Sequence, residues 1–414
     1  MLPPPPSTFP TELLIEIMKR SDCSTLHQFA LTGRAFTPLA LPLYYATMDF
    51  RVINETNLHS WFRESLAVMI NIPEVAGYVR HLSLSVDCTW KGGPVAQIFD
   101  NPTFLRCMKL FSQSANPPSA LSLENIPFEN IITQRLTQTF FSTSLVNLSL
   151  QGCTNVPFTI FLICPNLRNV VLVKVEYQSD LSKKPTKEER RLRTQMRTRP
   201  APALERLEFQ QSELFIDALL NPPPLFPNGC GDLSRLKVLR ACPDDVELIE
   251  HIVERAAPTL EELLLLHRGT ALRDHFIPFR YAFSLRPLTR LRIISLRLYI
   301  CDSDIRGNGR VISELTRIFS TIPARNSIAQ INLEFVVYTF TRDHPVCRYQ
   351  DWCALANALV RVGEDTSAAA VHVTIRFELN IVGRGYFKEP HDSRGQAILY
   401  GYLQDALQIL WESP

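Results

Sequence analysis

Apolar residues along the chain follow two rhythms, one repeating every second residue and one every three to four. Between residues 79 and 379 a short motif recurs, written apolar-x-x-apolar-x-apolar. It stands at Val79-x-x-Leu82-x-Leu84, Leu145-x-x-Leu148-x-Leu150, Leu167-x-x-Val170-x-Leu172 and Leu204-x-x-Leu207-x-Phe209. It returns at Leu233-x-x-Leu236-x-Val238, Leu260-x-x-Leu263-x-Leu265, Leu291-x-x-Ile294-x-Leu296 and Ile328-x-x-Ile331-x-Leu333. A partial copy is Leu121-Ser122-Leu123, and a degenerate one is Val371-x-Val373-x-Ile375. The alternation predicts short strands with one face turned to a core. Between them, 244–257 (Val246, Ile249, Ile252, Val253) and 311–319 (Val311, Ile312, Leu315, Ile318, Phe319) carry helical spacing and predict return helices.

Strand and helix in alternation, with unequal steps between copies, resemble leucine-rich repeats of irregular length. The resemblance implies an α/β solenoid, or horseshoe, whose strands line one face and whose helices or arcs line the other. A doubly wound sheet is the other α/β reading. The uniform leucine spacing and the lack of a Gly-rich first turn weigh against it. Outward strand positions are then the candidate target-binding surface. The charged and amide residues Arg206, Glu208, Arg235, Lys237, Arg297, Asn332, Glu334 and Arg376 carry most of its recognition chemistry. The face mixes signs, which suits a protein target better than a polyanion.

Before the repeats, residues 9–18 read as a helix opened by Pro10, with Leu13, Leu14, Ile17 and Met18 on one apolar face. Residues 21–24 offer N-cap side chains for a second helix bearing Leu26, Phe29 and Ala30, and Gly33 marks its stop. A third segment holds Phe36, Leu39, Ala40 and Leu43. Three helices of this length bury little by themselves, so the unit must dock on something.

Pro10, Glu12, Leu13, Leu14, Ile17, Asp22, Leu26, Arg34 and Phe36 resemble the F-box in its fungal form, with the ending 36–44 also similar. Departures are Phe9 for the first Leu, Ser21 for an apolar residue, and Thr32-Gly33 for Val-Ser. The resemblance implies a Skp-type adaptor as partner, and through it a cullin–RING ubiquitin ligase. Pro10, Leu13, Leu14, Ile17 and Met18 would be the contact positions.

The implied organisation is a Pro-rich tail (1–8), an F-box-like helical domain (9–50), and a helical linker (51–78). A leucine-rich-repeat domain (79–380) with a basic insertion (180–200) follows, and then a C-terminal loop with an amphipathic capping helix (381–414). The insertion, rich in Lys and Arg between 183 and 199, reads as a solvated, partly helical loop, with nuclear import or an RNA contact as the other reading.

Composition narrows the class. The chain of 414 residues has 43 Lys+Arg against 41 Asp+Glu, a formal net charge of +2, which removes the bulk electrostatic case for nucleic acid or membrane. Only 15 glycines stand beside 30 prolines. Scarce glycine disfavours phosphate-cradling loops. Pro165, Pro202 and Pro258 each stand two residues before the first leucine of a repeat strand, and Pro287 precedes Leu288, so proline punctuates the corners. The ten cysteines are scattered, and the start has neither a basic nor an apolar signal region. The expectation is reduced thiols in a cytoplasmic or nuclear protein.

No Walker loop, zincin motif or Gly-x-Ser-x-Gly elbow is present, and Gly307-Asn308-Gly309 reads as a turn. His344, Cys347 and Cys353 lack a fourth ligand at convincing spacing, and Asp274-His275 and Asp343-His344 lack a nucleophile. The expectation is therefore no catalysis, no metal and no cofactor. Two uses of the N-terminal helices remain open. An exposed Leu13/Leu14/Ile17 face favours an adaptor contact, whereas burial of that face against 51–80 favours a cap on a repeat scaffold without ligase assembly.

Overall fold

The computed structural model describes residues 10–52, 55–87, 96–128, 141–157, 160–177, 200–221, 230–242, 246–266, 284–301, 310–339, 349–368 and 370–381. The expected tail 1–8, residues 180–199 of the basic insertion, and the segment 382–414 expected as loop and capping helix lie outside them. The described residues form a mixed α/β structure whose strands pair in parallel. The chain divides into two compact units, Met1–Pro202 with Pro224–Cys230, and Ala203–Pro223 with Gly231–Pro414. That division falls inside the expected repeat domain, and the N-terminal helices group with the first strands.

The first unit begins with α1 (Thr11–Lys19), α2 (Cys23–Thr32) and α3 (Thr37–Tyr44). It continues through β1 (Thr47–Val52), α4 (Glu55–Asn71), α5 (Val75–Tyr78), β2 (His81–Val86), α6 (Ala96–Asp100) and α7 (Pro102–Gln113). β3 (Ala120–Glu124), α8 (Phe141–Ser144), β4 (Asn147–Gln151), α9 (Ile160–Ile163) and β5 (Asn169–Val173) complete it. β1 to β5 pair in sequence order.

Register explains why the leucine spacing is uniform. Met48, Leu82, Leu121, Leu148 and Val170 are successive partners, and Phe50, Leu84, Leu123, Leu150 and Leu172 form a second row. All are buried, at about 2 kcal/mol for each large aliphatic side chain removed from water. A strand displaced by one residue would turn both rows to solvent. α7 buries Phe104, Cys107, Met108 and Phe111, the i, i+3, i+4, i+7 set of one helix face. Asn101 caps that helix, its side-chain oxygen accepting from the Thr103 and Phe104 amides at 2.9 and 3.3 Å.

The second unit contains β6 (Arg206–Gln210), α10 (Glu213–Leu220), β7 (Val238–Cys242), α11 (Val246–Ala256) and β8 (Glu262–Leu266). β9 (Ile293–Cys301), α12 (Arg310–Ser320), β10 (Gln330–Thr339), α13 (Tyr349–Glu364) and β11 (His372–Ile381) follow. β6 to β11 again pair in order. Leu207, Leu239, Leu263, Ile294, Ile331 and Val373 form one inward row, and Phe209, Ala241, Leu265, Leu296, Leu333 and Ile375 the next. The two return helices expected from spacing are α11, which buries Leu248, Ile249, Ile252 and Val253, and α12, which buries Val311, Ile312, Leu315, Ile318 and Phe319.

Three positions differ from the sequence reading. β1 stands ahead of the expected repeats, with the alternation Met48, Phe50, Val52 buried and Thr47, Asp49, Arg51 exposed. β7 begins three residues later in the motif than expected, as Leu236-x-x-Leu239-x-Ala241. Leu233 and Leu236 instead close a turn, the Leu236 amide donating to the Leu233 carbonyl at 3.0 Å. β9, β10 and β11 run for 9, 10 and 10 residues, about twice the 5 residues of β6, β7 and β8.

Strand ends share a conformation. Asn125, Gly152 and Lys174, the first residues after β3, β4 and β5, have φ of 55°, 61° and 53°, and Gln211 after β6 has 51°. In the first unit this left-handed step lets the ladder continue around the corner, the Asn125 amide donating to the Gln151 carbonyl and the Gly152 amide to Val173, both at 2.8 Å. Only one of the four is glycine.

Candidate interaction surfaces

The N-terminal helices form a small core of their own. Met18, Leu26 and Ala40 are buried, with Phe29, Ala30, Phe36, Leu39, Leu43 and Tyr44 packed on them. α1 starts because the Pro10 carbonyl accepts from the Leu13 and Leu14 amides at 3.1 and 3.2 Å, while Pro10 itself needs no donor partner. α2 starts at Asp22, whose carboxylate accepts from the Thr25 amide at 2.7 Å. That hydrogen bond holds the Asp22 carboxyl below its ordinary range. α2 stops at Gly33, as the sequence predicts, and the glycine is in extended conformation.

With the core side of α1 fixed by Met18, Leu13 and Ile17 face away. Leu13 is 52% and Ile17 46% exposed, Pro10 is exposed, and Leu14 is half-buried. Met18 is 0% exposed, which removes it from the candidate contact set: a side chain enclosed by Leu26 and Ala40 has no surface to offer. Leu31, 67% exposed on α2, is a further apolar residue that helical periodicity did not single out.

The outward strand face of the first unit is mostly polar and uncharged, with Asp49, Arg51 and Glu124 as its charged positions. Its central register row reads Asp49, Ser83, Ser122, Ser149, Val171. His81 Nε2 and Ser122 Oγ lie 2.7 Å apart, and the Asn169 amide donates to Asn147 Oδ1 at 2.6 Å. Among the described residues no carboxylate bonds the other ring nitrogen of His81, so the pair reads as a hydrogen bond across the face.

The second unit presents a charged face that pairs with itself. Arg206 Nη2 meets Glu208 at 3.0 Å, and Arg240 Nη2 meets Glu262 at 2.9 Å. Arg297 reaches Glu334 at 3.6 Å on the neighbouring strand and Glu378 at 3.3 Å two strands away. Asn332 donates to Ser295 Oγ at 2.9 Å and accepts from Gln330 at 3.0 Å. Arg206, Glu208, Arg297, Asn332, Glu334 and Arg376 thus lie on the outward strand face, as expected. Arg235 and Lys237 do not. The shift in β7 places them in the turn before the strand, where Lys237 holds Glu205 at 3.3 Å, and Arg240 occupies the strand position instead. The overlapping leucine frames 233/236/238 and 236/239/241 concealed this, since both satisfy the motif.

Buried thiols line the interior. Desolvation pushes the Cys107 thiol up to about 12 and Cys153 up to about 11, and Cys153 also donates toward the Leu123 carbonyl at 3.4 Å. Among the described residues no group of three or more His, Cys, Asp or Glu side chains is arranged to hold a metal ion, and no helix is long and apolar enough to cross a membrane. The paired Asp-His sites and the His344/Cys347 fragment lie outside the described residues.

No protein-family model matches the chain, and no curated protein matches it.

Proposed function

We propose that the chain is a non-catalytic substrate-recognition subunit of a cullin–RING ubiquitin ligase. Its N-terminal helices act as an F-box that binds a Skp-type adaptor. Its strands and return helices act as a leucine-rich-repeat solenoid that holds a target protein. The observation that carries the reading is the exposure of Leu13 and Ile17 on a helix whose other side is anchored by Met18. Two large aliphatics left about half in water forgo about 1 kcal/mol each, which an adaptor groove recovers. A helix serving only as a cap would turn those residues inward.

The mechanism is proximity. The N-terminal helices hold the adaptor and its attached ligase, the strand array holds the target, and the linkage raises the effective concentration of target lysines at the ubiquitin-loaded enzyme. The chain contributes binding and geometry, and the bond-making steps belong to its partners. Co-expression with a Skp-type adaptor tests the proposal. A stable one-to-one complex is expected from the wild type and is expected to be lost in the Leu13→Asp, Ile17→Asp variant.

A further inference from the structure

On the second unit's strand face, Arg206, Arg240 and Arg297 each hold a carboxylate of the same sheet, and Lys237, in the turn before β7, holds Glu205 just ahead of β6. The corners leading into β9 and β10 are different. Residues 284–292 and 321–329 contain four arginines, Arg286, Arg290, Arg292 and Arg325, and no acidic residue. All four side chains are exposed, and among the described residues none of them makes an ion pair or side-chain hydrogen bond.

The two corners are stitched into one surface. The Leu285 amide donates to Thr321 Oγ1 at 2.8 Å, and Ser327 Oγ donates to the Thr289 carbonyl at 3.3 Å. The Ala329 and Gln330 amides both donate to the Arg292 carbonyl, at 2.9 and 3.0 Å. Adjacent strands stand about 4.8 Å apart, so the two corners lie side by side, within reach of one short extended segment.

We infer that this corner is a docking site for a short anionic segment of a partner protein, whose carboxylate or phosphate groups pair with Arg286, Arg290, Arg292 and Arg325. Four arginines and no lysine suit that chemistry, because the planar guanidinium takes either oxyanion in a bidentate pair. A long polyanion fits less well. Glu261 adjoins Arg292 on the β8 side, its carbonyl accepting from the Arg292 amide at 2.8 Å, and Asp365 adjoins Arg325 on the other, accepting from that amide at 3.0 Å. Acidic residues therefore bracket the patch and limit the length of anion it accepts. The inference rests on the reading of the second unit as a partner-binding array and is independent of adaptor binding.

Fluorescence anisotropy on the full chain tests it, with labelled Gly/Ser peptides of about ten residues carrying three glutamates, three phosphoserines or three lysines, and a single-stranded oligonucleotide of similar length. The glutamate or phosphoserine peptide is expected to bind, whichever of the two is tighter naming the source of the anion, and the lysine peptide is not. Raising salt from about 0.05 to about 0.3 M weakens the wild-type interaction several-fold. Arg290→Glu with Arg292→Glu weakens it about tenfold or more, and Arg286→Gln with Arg325→Gln by a smaller factor, at unchanged circular dichroism. Failure of both acidic peptides to bind the wild type, equal binding by folded variants, or preference for the oligonucleotide overturns the inference. Adaptor capture plays no part in these measurements, so either result stands apart from the ligase reading.

Discussion

Ile17 and Met18 are consecutive residues of one helix in opposite environments, 46% and 0% exposed. The 100° step of the helix separates them. Met18 enters the core made with Leu26 and Ala40, while Ile17 joins Leu13 on the far side.

Mutations on the two sides therefore have opposite signatures. Met18→Ala empties a packed site and is expected to cost about 2–4 kcal/mol of the helical unit's stability. Leu13→Asp and Ile17→Asp are expected to stay within about 1 kcal/mol of wild type, because neither residue leaves a core. Chemical denaturation followed by circular dichroism separates the two outcomes.

Thiol chemistry sorts the cysteines by burial. Cys23 is exposed at the start of α2, whereas Cys107 and Cys153 are buried with thiols pushed up to about 12 and about 11. At pH 8 an aromatic disulfide reagent is expected to modify Cys23 quickly, and Cys107 and Cys153 only on unfolding. Because both folded values lie above the ordinary 9.0, their contribution to stability is complete below about pH 9 and is lost as pH rises toward 12. A denaturation series from pH 8 to pH 11 should show stability falling with pH.

Gly152 is the corner that tolerates no side chain. Its φ is 61°, and a Cβ built there collides with Asn125 Oδ1. Asn125 is itself tied by its side-chain amide to the Val86 carbonyl at 3.2 Å, so it cannot move aside without breaking a link between strand ends. Gly152→Ala is expected to destabilise the first unit by about 1–3 kcal/mol, measured by thermal melting, and Lys174→Gly to be neutral or mildly stabilising.

The self-paired charges of the second unit contribute little to stability. Arg297, Glu334 and Glu378 are between 37% and 51% exposed, so solvent screens them. Arg297→Met is expected to cost less than about 1 kcal/mol, and added salt should narrow even that difference.

The sequence carried the strands better than their boundaries. Period-2 leucines mark β2, β4, β5, β6, β8, β9 and β10 because the inward rows stack in register from strand to strand. Pro165 and Pro258 stand in turns ahead of β5 and β8, as punctuation predicts. β7 was misplaced because two leucine frames overlap and only packing selects between them. β1 was missed because Met48 and Phe50 replace leucine, although its alternation was legible. The corners after β5 and β6 were invisible, since Lys174 and Gln211 adopt a left-handed conformation that favours glycine and asparagine. On the candidate surfaces, Leu13 and Ile17 were legible as an apolar face, but helical period alone could not assign Met18 to the core. The arginine corner was also hidden, because Arg286, Arg290, Arg292 and Arg325 stand ahead of the strands and outside the alternating positions that mark a strand face.

Isothermal titration of a purified Skp-type adaptor into the full chain tests the central claim most directly. One-to-one binding with a dissociation constant in the micromolar range or tighter is predicted, weakened at least about a hundredfold by Leu13→Asp with Ile17→Asp and unchanged by Arg290→Glu with Arg292→Glu. No heat of binding from a folded wild-type chain, or equal affinity for the Leu13/Ile17 variant, would contradict it.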